Sequence, residues 1–125
     1  MQSDYLKELS MTAKYLLAAE YTKRYQEIIT QIPSEILYGG PDVPEEIDGV
    51  LHAYIDLCAE EYAIRDQVPA EVWDNWSEGI VNGFKKPAVQ KVWNSFFKAN
   101  AYEDLYNYLV AQGVEFEQED DDDEV

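Results

Sequence analysis

The chain has 125 residues, 46% of them apolar and 14% aromatic, and its 26 acidic and 9 basic residues give a net charge of −17. This length and apolar content suffice for one domain with a sizeable core and exclude two ordinary domains. The deficit of Lys and Arg excludes direct binding to DNA or RNA, which depends on neutralising phosphates, and leaves basic proteins as the partners that the charge favours.

The cysteine content and the N-terminal sequence bear on the compartment. A single cysteine, Cys58, excludes an intramolecular disulfide and a zinc site built from several cysteines of this chain. The first ten residues include acids and other polar residues, and no apolar run is long enough for a signal peptide or a spanning helix. We therefore expect a cytoplasmic protein that does not engage membranes.

The first half of the chain predicts two helices. Apolar residues recur at helical spacing from Asp4 to about Ile32, and Pro33 supplies a stop. The sequence YGGPD then interrupts the helical pattern and predicts a loop. A second helix is expected over about 44–66, with Asp42 as its candidate N-cap.

The stretch VPAEVWDNWSEGIVNGFKKPAVQKVWNSFF, residues 68–97, contains all three tryptophans. Their helical spacing among other apolar residues predicts the packing centre of the fold, although tryptophans can also form a binding surface. Pro69 and Pro87 each stand where a helix begins, and Gly79 and Gly83 indicate close packing or a helix end.

The C-terminal sequence VEFEQEDDDDEV follows a last short helix over 102–111, which Gly113 is expected to cap. The sequence has eight acids and no base, so like charges repel and little remains to be buried. We predict a helical domain over 1–113 and a disordered acidic tail over 114–125. The expected fold class is all-α, a single-domain bundle of about five helices.

The middle of the chain resembles an uncharacterised group of small bacterial helical proteins. The likeness rests on a leucine-rich helix ending in CAEEY (58–62), on EVWDNWSEGI (71–80), and on a helix that begins at Pro87 and carries Trp93. The sequence TKRYQEIITQIP is also similar to the N-terminal helix of that group. The resemblance covers about residues 20–110 in loose form, and it implies a helical fold but no particular chemistry.

His52, Asp56 and Glu60 are the strongest candidates for a catalytic site. They lie at i, i+4 and i+8 on one predicted helix face, so a metal-assisted hydrolase is one hypothesis. An exposed polar face is the preferred interpretation, because a single histidine without a second ligand-bearing segment seldom holds a metal. Cys58 is interpreted as a core thiol, since no base stands in register with it. Without a recognisable catalytic motif, we predict a non-enzymatic protein with no cofactor and no metal.

The charge is unevenly distributed along the chain. Residues 35–78 hold twelve acids and one base, whereas residues 79–100 hold four lysines and no acid. The lysines are interpreted as a solvated face or as partners of the chain's own acidic segment; they are Lys85, Lys86, Lys91 and Lys98.

These features predict a binding module or inhibitor whose acidic surface engages a basic protein partner. The candidate contact residues are Glu45, Glu46, Asp56, Glu60, Glu61, Asp66, Glu71 and Asp74. Ten tyrosines in an acidic helical chain also resemble, in composition alone, phage proteins that inhibit restriction enzymes by imitating the phosphates of DNA. A structural subunit of a larger assembly is a further alternative, and the sequence does not predict the oligomeric state.

Overall fold

A computed structural model describes residues 2–39, 42–97 and 102–116 of the chain. Every regular element within these ranges is helical, which confirms the all-α fold class. The helices are α1 (Gln2–Ile29), α2 (Ser34–Leu37), α3 (Glu45–Ala63), α4 (Ala70–Gly83), α5 (Pro87–Val92) and α6 (Glu103–Ala111). A 3₁₀ turn, Arg65–Gln67, connects α3 to α4, and α5 continues into a π-helical turn, Trp93–Phe97.

Prolines mark the helix starts, as the sequence indicated. Pro44 and Pro69 occupy the N-cap positions of α3 and α4, and Pro87 is the first residue of α5. Asp42 was expected to cap α3, but Pro44 stands at that position and no side chain caps the helix. The fixed φ of proline suits a helix entry, and acids in the first turn of α3 interact favourably with the helix dipole.

Helix α3 lies at the centre of the fold and packs against α1, α4 and α5. Leu51 and Ile55 on α3 are fully buried, as is Phe84 just after α4. Trp93 is also buried, and its ring packs edge-on against Phe84 at a centroid distance of 5.5 Å. The segment 68–97 contributes to the core through residues such as Phe84 and Trp93, but α3 lies at the centre, and Trp73 and Trp76 are only partly buried.

The two halves of α1 differ in their packing. Residues near its C-terminal end, such as Ile28 and Ile29, pack against the core. Towards the N-terminus, Leu6 is 59% exposed and Leu16 is 67% exposed. Neither α1 nor another helix in the described ranges combines the length and apolar character that crossing a membrane requires.

Gly79 and Gly83, which were predicted together, have different surroundings in the structure. A Cβ added at Gly83 would collide with the hydroxyl group of Tyr54, so Gly83 marks a close approach of α4 to α3. A Cβ added at Gly79 would meet nothing within 4 Å, so close packing was wrong for that residue. Gly79 is exposed and borders a cavity, which leaves open space beside its Cα.

The C-terminal end of the described chain packs onto the core. Gly113 has a φ of +95°, as expected of the glycine that ends α6, and the amide of Val114 then donates to the carbonyl of Leu109 at 3.0 Å. Val114 is 3% exposed, and the ring centroids of Phe116 and Tyr106 lie 4.9 Å apart. The folded part thus extends to residue 116 rather than 113, because the two apolar residues after the glycine cover Trp93 and its neighbours. Residues 117–125 of the predicted tail lie outside the described ranges.

Candidate functional site

Four of the predicted contact residues lie on the solvent side of α3. Glu45, Glu46, Asp56 and Glu60 fall within about 100° of the helix circumference, at 100° per residue. The opposite side of the helix carries the buried residues Leu51, Tyr54 and Ile55. The register therefore places these four carboxylates on one face of α3.

Some of the carboxylates predicted to contact a partner protein have no hydrogen bond or ion pair within the described ranges, and others do. Glu45, Glu46, Asp66 and Asp74 are exposed, and none makes a hydrogen bond or ion pair to a residue in the described ranges. None of Lys85, Lys86 and Lys91 forms an ion pair with an acid of those ranges, and Lys86 lies over the ring of Tyr38. The fourth lysine, Lys98, lies outside them. In the described chain, the basic stretch does not neutralise the acidic one.

Glu60 connects α3 to α1. Its two carboxylate oxygens accept from the guanidinium of Arg24 at 2.9 and 3.2 Å, and the hydroxyl of Tyr21 donates to Oε1 at 3.1 Å. The hydrogen bonds from Arg24 are the main reason that the pKa of Glu60 is held below its usual value. An ion pair this exposed adds little stability, so its effect is chiefly to fix the side chain.

Asp56 and Glu71 connect other parts of the fold. The hydroxyl of Tyr102 donates to Oδ1 of Asp56 at 2.5 Å, and this hydrogen bond raises the pKa of Tyr102 to about 12. The hydroxyl of Tyr15 on α1 donates to Oε2 of Glu71 on α4 at 2.7 Å. Both carboxylates therefore have structural partners and are less available to a second protein than the four free ones.

Glu61 is not part of the acidic surface, and its inclusion among the contact residues was wrong. Its side chain is 4% exposed. Residues 54, 58 and 61 are spaced i, i+4 and i+7, so Glu61 shares the inward face of α3 with Tyr54 and Cys58. This register was present in the sequence and could have identified the buried carboxyl.

The predicted metal-binding trio does not form a site in the described structure. Among those residues, no group of three or more His, Cys, Asp or Glu side chains could hold a metal ion. Asp56 and Glu60 instead accept hydrogen bonds from Tyr102 and Arg24. These contacts weigh against a hydrolase that uses His52, Asp56 and Glu60.

A cavity of about 440 Å³ lies between α1, α3 and α4, and Glu61 is one of its lining residues. Its walls come from three separate segments, so no local pattern in the sequence indicates the cavity. Two tyrosines and a tryptophan provide aromatic surface, and several polar side chains stand among them. The lining residues are Thr22, Tyr25, Gln26, Tyr54, Cys58, Glu61, Val72, Asn75, Trp76, Gly79 and Ile80.

Burial dominates the electrostatics of this cavity. It raises the pKa of Glu61 to about 7, with Arg24 acting in the opposite direction and Glu60 in the same one. Burial also raises the pKa of the Cys58 thiol well above its usual range, and the nearby Glu61 adds to the effect. Cys58 is 1% exposed, which confirms a core thiol and disfavours a nucleophile, since a reactive cysteine needs a lowered pKa.

Comparison with known proteins does not assign the chain to a class. No family model, curated protein or solved structure significantly matches it. The likeness to small bacterial helical proteins stays a prediction.

Proposed function

We propose that the protein is a non-enzymatic binding module, and in particular an inhibitor, whose acidic surface engages a basic protein partner. The observation that carries the proposal is the set of exposed carboxylates without partners in the described chain: Glu45, Glu46, Asp66 and Asp74. They belong to a segment of net charge −11, residues 35–78. Exposed negative charge of this kind accelerates association with a basic partner and disfavours acidic ones.

The three carboxylates that have partners support the same proposal in another way. Contacts with Arg24, Tyr102 and Tyr15 fix Glu60, Asp56 and Glu71 in place. A surface whose charges are already positioned loses less side-chain entropy when a partner docks. The free carboxylates would make the new ion pairs, and the fixed ones would contribute to the potential around them.

The experiment compares two variants that each remove four negative charges. E45Q/E46Q/D66N/D74N neutralises the free carboxylates, and E8Q/E20Q/E27Q/E103Q neutralises exposed acids elsewhere in the fold. Immobilised native protein is used to capture basic proteins at about 50 mM salt, below the ionic strength at which surface charges are strongly screened. We expect the first variant to bind the captured partner at least tenfold more weakly, and the matched variant to change its affinity less than about twofold.

Two results would contradict the proposal. Equal weakening by both variants would mean that net charge alone attracts the partner and that the surface has no special role. Binding that persists unchanged at about 0.5 M salt would exclude an electrostatic interface.

The kind of protein that is captured distinguishes an inhibitor that imitates DNA from a structural subunit. If the captured protein binds nucleic acid, duplex DNA should compete with this chain for it when the acidic surface imitates a phosphate array. A structural role in a larger assembly would instead give a stable complex by light scattering. We place the interaction in the cytoplasm, and the free, buried Cys58 is compatible with a reducing compartment.

A further inference from the structure

The cavity between α1, α3 and α4 has an exposed mouth and a buried floor. Thr22, Gln26 and Asn75 are exposed and border the opening. Cys58 and Glu61 are buried and lie at the floor. The volume of about 440 Å³ is within the usual range for sites that bind small molecules, roughly 300 to 1,000 Å³.

The carboxyl group of Glu61 has no partner at this floor. Residue Glu61 is 4% exposed, and its carboxyl group makes no hydrogen bond or ion pair to any residue in the described ranges. A buried carboxyl normally has a hydrogen-bonding partner, because leaving it without one costs free energy. An acceptor that faces a cavity in this state calls for a donor from outside the chain.

The walls have the character of a site for an organic cation. Tyr25 and Trp76 line the cavity from α1 and α4, and the faces of such rings attract positive charge. Val72 and Ile80 provide apolar surface on which an alkyl chain can lie. A chain of net charge −17 also raises the local concentration of cations.

We propose that this cavity binds a primary alkylammonium group, with the Glu61 carboxylate accepting its hydrogen bonds at the floor and Tyr25 and Trp76 contacting the alkylammonium along the walls. A primary ammonium fits better than a quaternary one, because three N–H donors can satisfy the unpartnered oxygens. The group can belong to a free amine or to a lysine side chain of another protein. This proposal stands apart from the acidic surface, since Glu61 is not part of that surface.

The binding should depend on pH. The pKa of Glu61 is raised to about 7, so the carboxylate that attracts the ligand becomes fully available only above neutral pH. Arg24 and Glu60 act on the pKa of Glu61, and Glu61 in turn raises the pKa values of Cys58, Tyr54 and Tyr25. An alkylammonium loses its own proton near pH 10 or above, so affinity should be highest between about pH 8 and 10.

The test follows the indole N–H resonance of Trp76 by NMR while n-butylammonium chloride is added to the full chain at pH 8.5. Sodium chloride at equal ionic strength and n-butanol serve as controls for salt and for apolar binding, and W76F assigns the resonance. We expect a saturable shift with n-butylammonium alone, and at least a tenfold weaker affinity at pH 5.5.

Two variants assign the interaction to Glu61. E61Q keeps the shape of the side chain and should weaken n-butylammonium binding at least tenfold. E78Q removes one charge from an exposed position on α4 outside the cavity and should leave the affinity within about twofold. If E61Q does not fold by circular dichroism, the pH dependence of the native protein decides in its place.

Several outcomes would overturn the proposal. They are the absence of a saturable Trp76 shift, equal binding of n-butanol, unchanged affinity in a folded E61Q, or an affinity that does not vary between pH 5.5 and 8.5.

A parallel titration with Nα-acetyl-lysine methylamide separates the two sources of the ammonium group. Tighter binding than n-butylammonium assigns the cavity to a lysine side chain, and weaker binding assigns it to a free amine.

Discussion

At the scale of single residues, Glu61 is the most unusual group in the fold. It lies on the inward face of α3 beside Cys58, and its pKa is raised to about 7, chiefly by burial. A carboxyl with a raised pKa holds its proton more firmly in the folded than in the unfolded chain. Its contribution therefore stabilises the fold at low pH and is lost as the pH rises from the unfolded pKa towards 7.

This linkage predicts the effect of E61Q on stability. Glutamine does not titrate, so the free energy of unfolding of E61Q should rise relative to that of the native protein by roughly 2 to 3 kcal/mol between pH 5 and pH 8. Urea denaturation at the two pH values measures the change. Glu60 opposes this trend in the native protein, because its lowered pKa contributes stability that is lost on acidification.

Subtracting the free energy of unfolding of the native protein from that of E61Q cancels the effect of Glu60, since both proteins retain this residue. E78Q, which neutralises an exposed acid, provides the control and should track the native protein at both pH values. A constant difference between E61Q and the native protein would show that Glu61 titrates normally.

At the scale of elements, α3 and α4 can approach each other closely because Gly83 has no side chain. Gly83 ends α4 where the hydroxyl of Tyr54 leaves no room for a Cβ, and Tyr54 is itself only 7% exposed. A buried aromatic side chain cannot move aside as an exposed flexible one can. The approach of the two helices therefore depends on this glycine.

Two alanine substitutions on α4 should act in opposite directions. G83A should lower the free energy of unfolding by roughly 1 to 3 kcal/mol, as overpacking does in a filled core. G79A should raise it by up to about 1 kcal/mol, because alanine favours the helix and its Cβ meets open space. Thermal and urea denaturation measure both, and destabilisation of equal size would contradict the distinction between the two glycines.

At the scale of the whole molecule, the last described residues close the core. The buried amide of Gln90 donates to the carbonyls of Phe84 and Glu115, both at 2.8 Å. The ring of Phe116 packs on those of Phe84 and Trp93, at centroid distances of 6.2 and 5.5 Å. Residues 114–116 thus tie the C-terminal end to the segment that carries α4 and α5.

Two truncations test this boundary. A chain ending at Gly113 should lose roughly 2 to 4 kcal/mol in its free energy of unfolding, since it lacks two apolar residues and an acceptor for Gln90. A chain ending at Phe116 keeps these contacts and loses seven acids, so its stability should equal or exceed that of the full chain. Equal stability of the two truncated chains would place the boundary at Gly113 after all.

The sequence by itself determined which segments are helical. Apolar spacing over 44–66, the prolines at 44, 69 and 87, and the glycine after α6 act within a few residues, so they can be recognised without knowing the fold. The burial of Trp93 and Cys58 followed from the same local register. The location of most of the acidic candidates on an exposed surface also followed, because charged residues remain on the solvent side of a helix.

Only the tertiary structure decided which of these faces meet. Glu61 lines a cavity because α1 and α4 close over one side of α3, and Gly83 differs from Gly79 because an added Cβ would meet Tyr54 only at Gly83. The contacts of Asp56 with Tyr102 and of Glu60 with Arg24 join residues 46 and 36 positions apart. Pairings at such separations depend on how the helices pack rather than on any local pattern, and the cavity at Glu61 exists for the same reason.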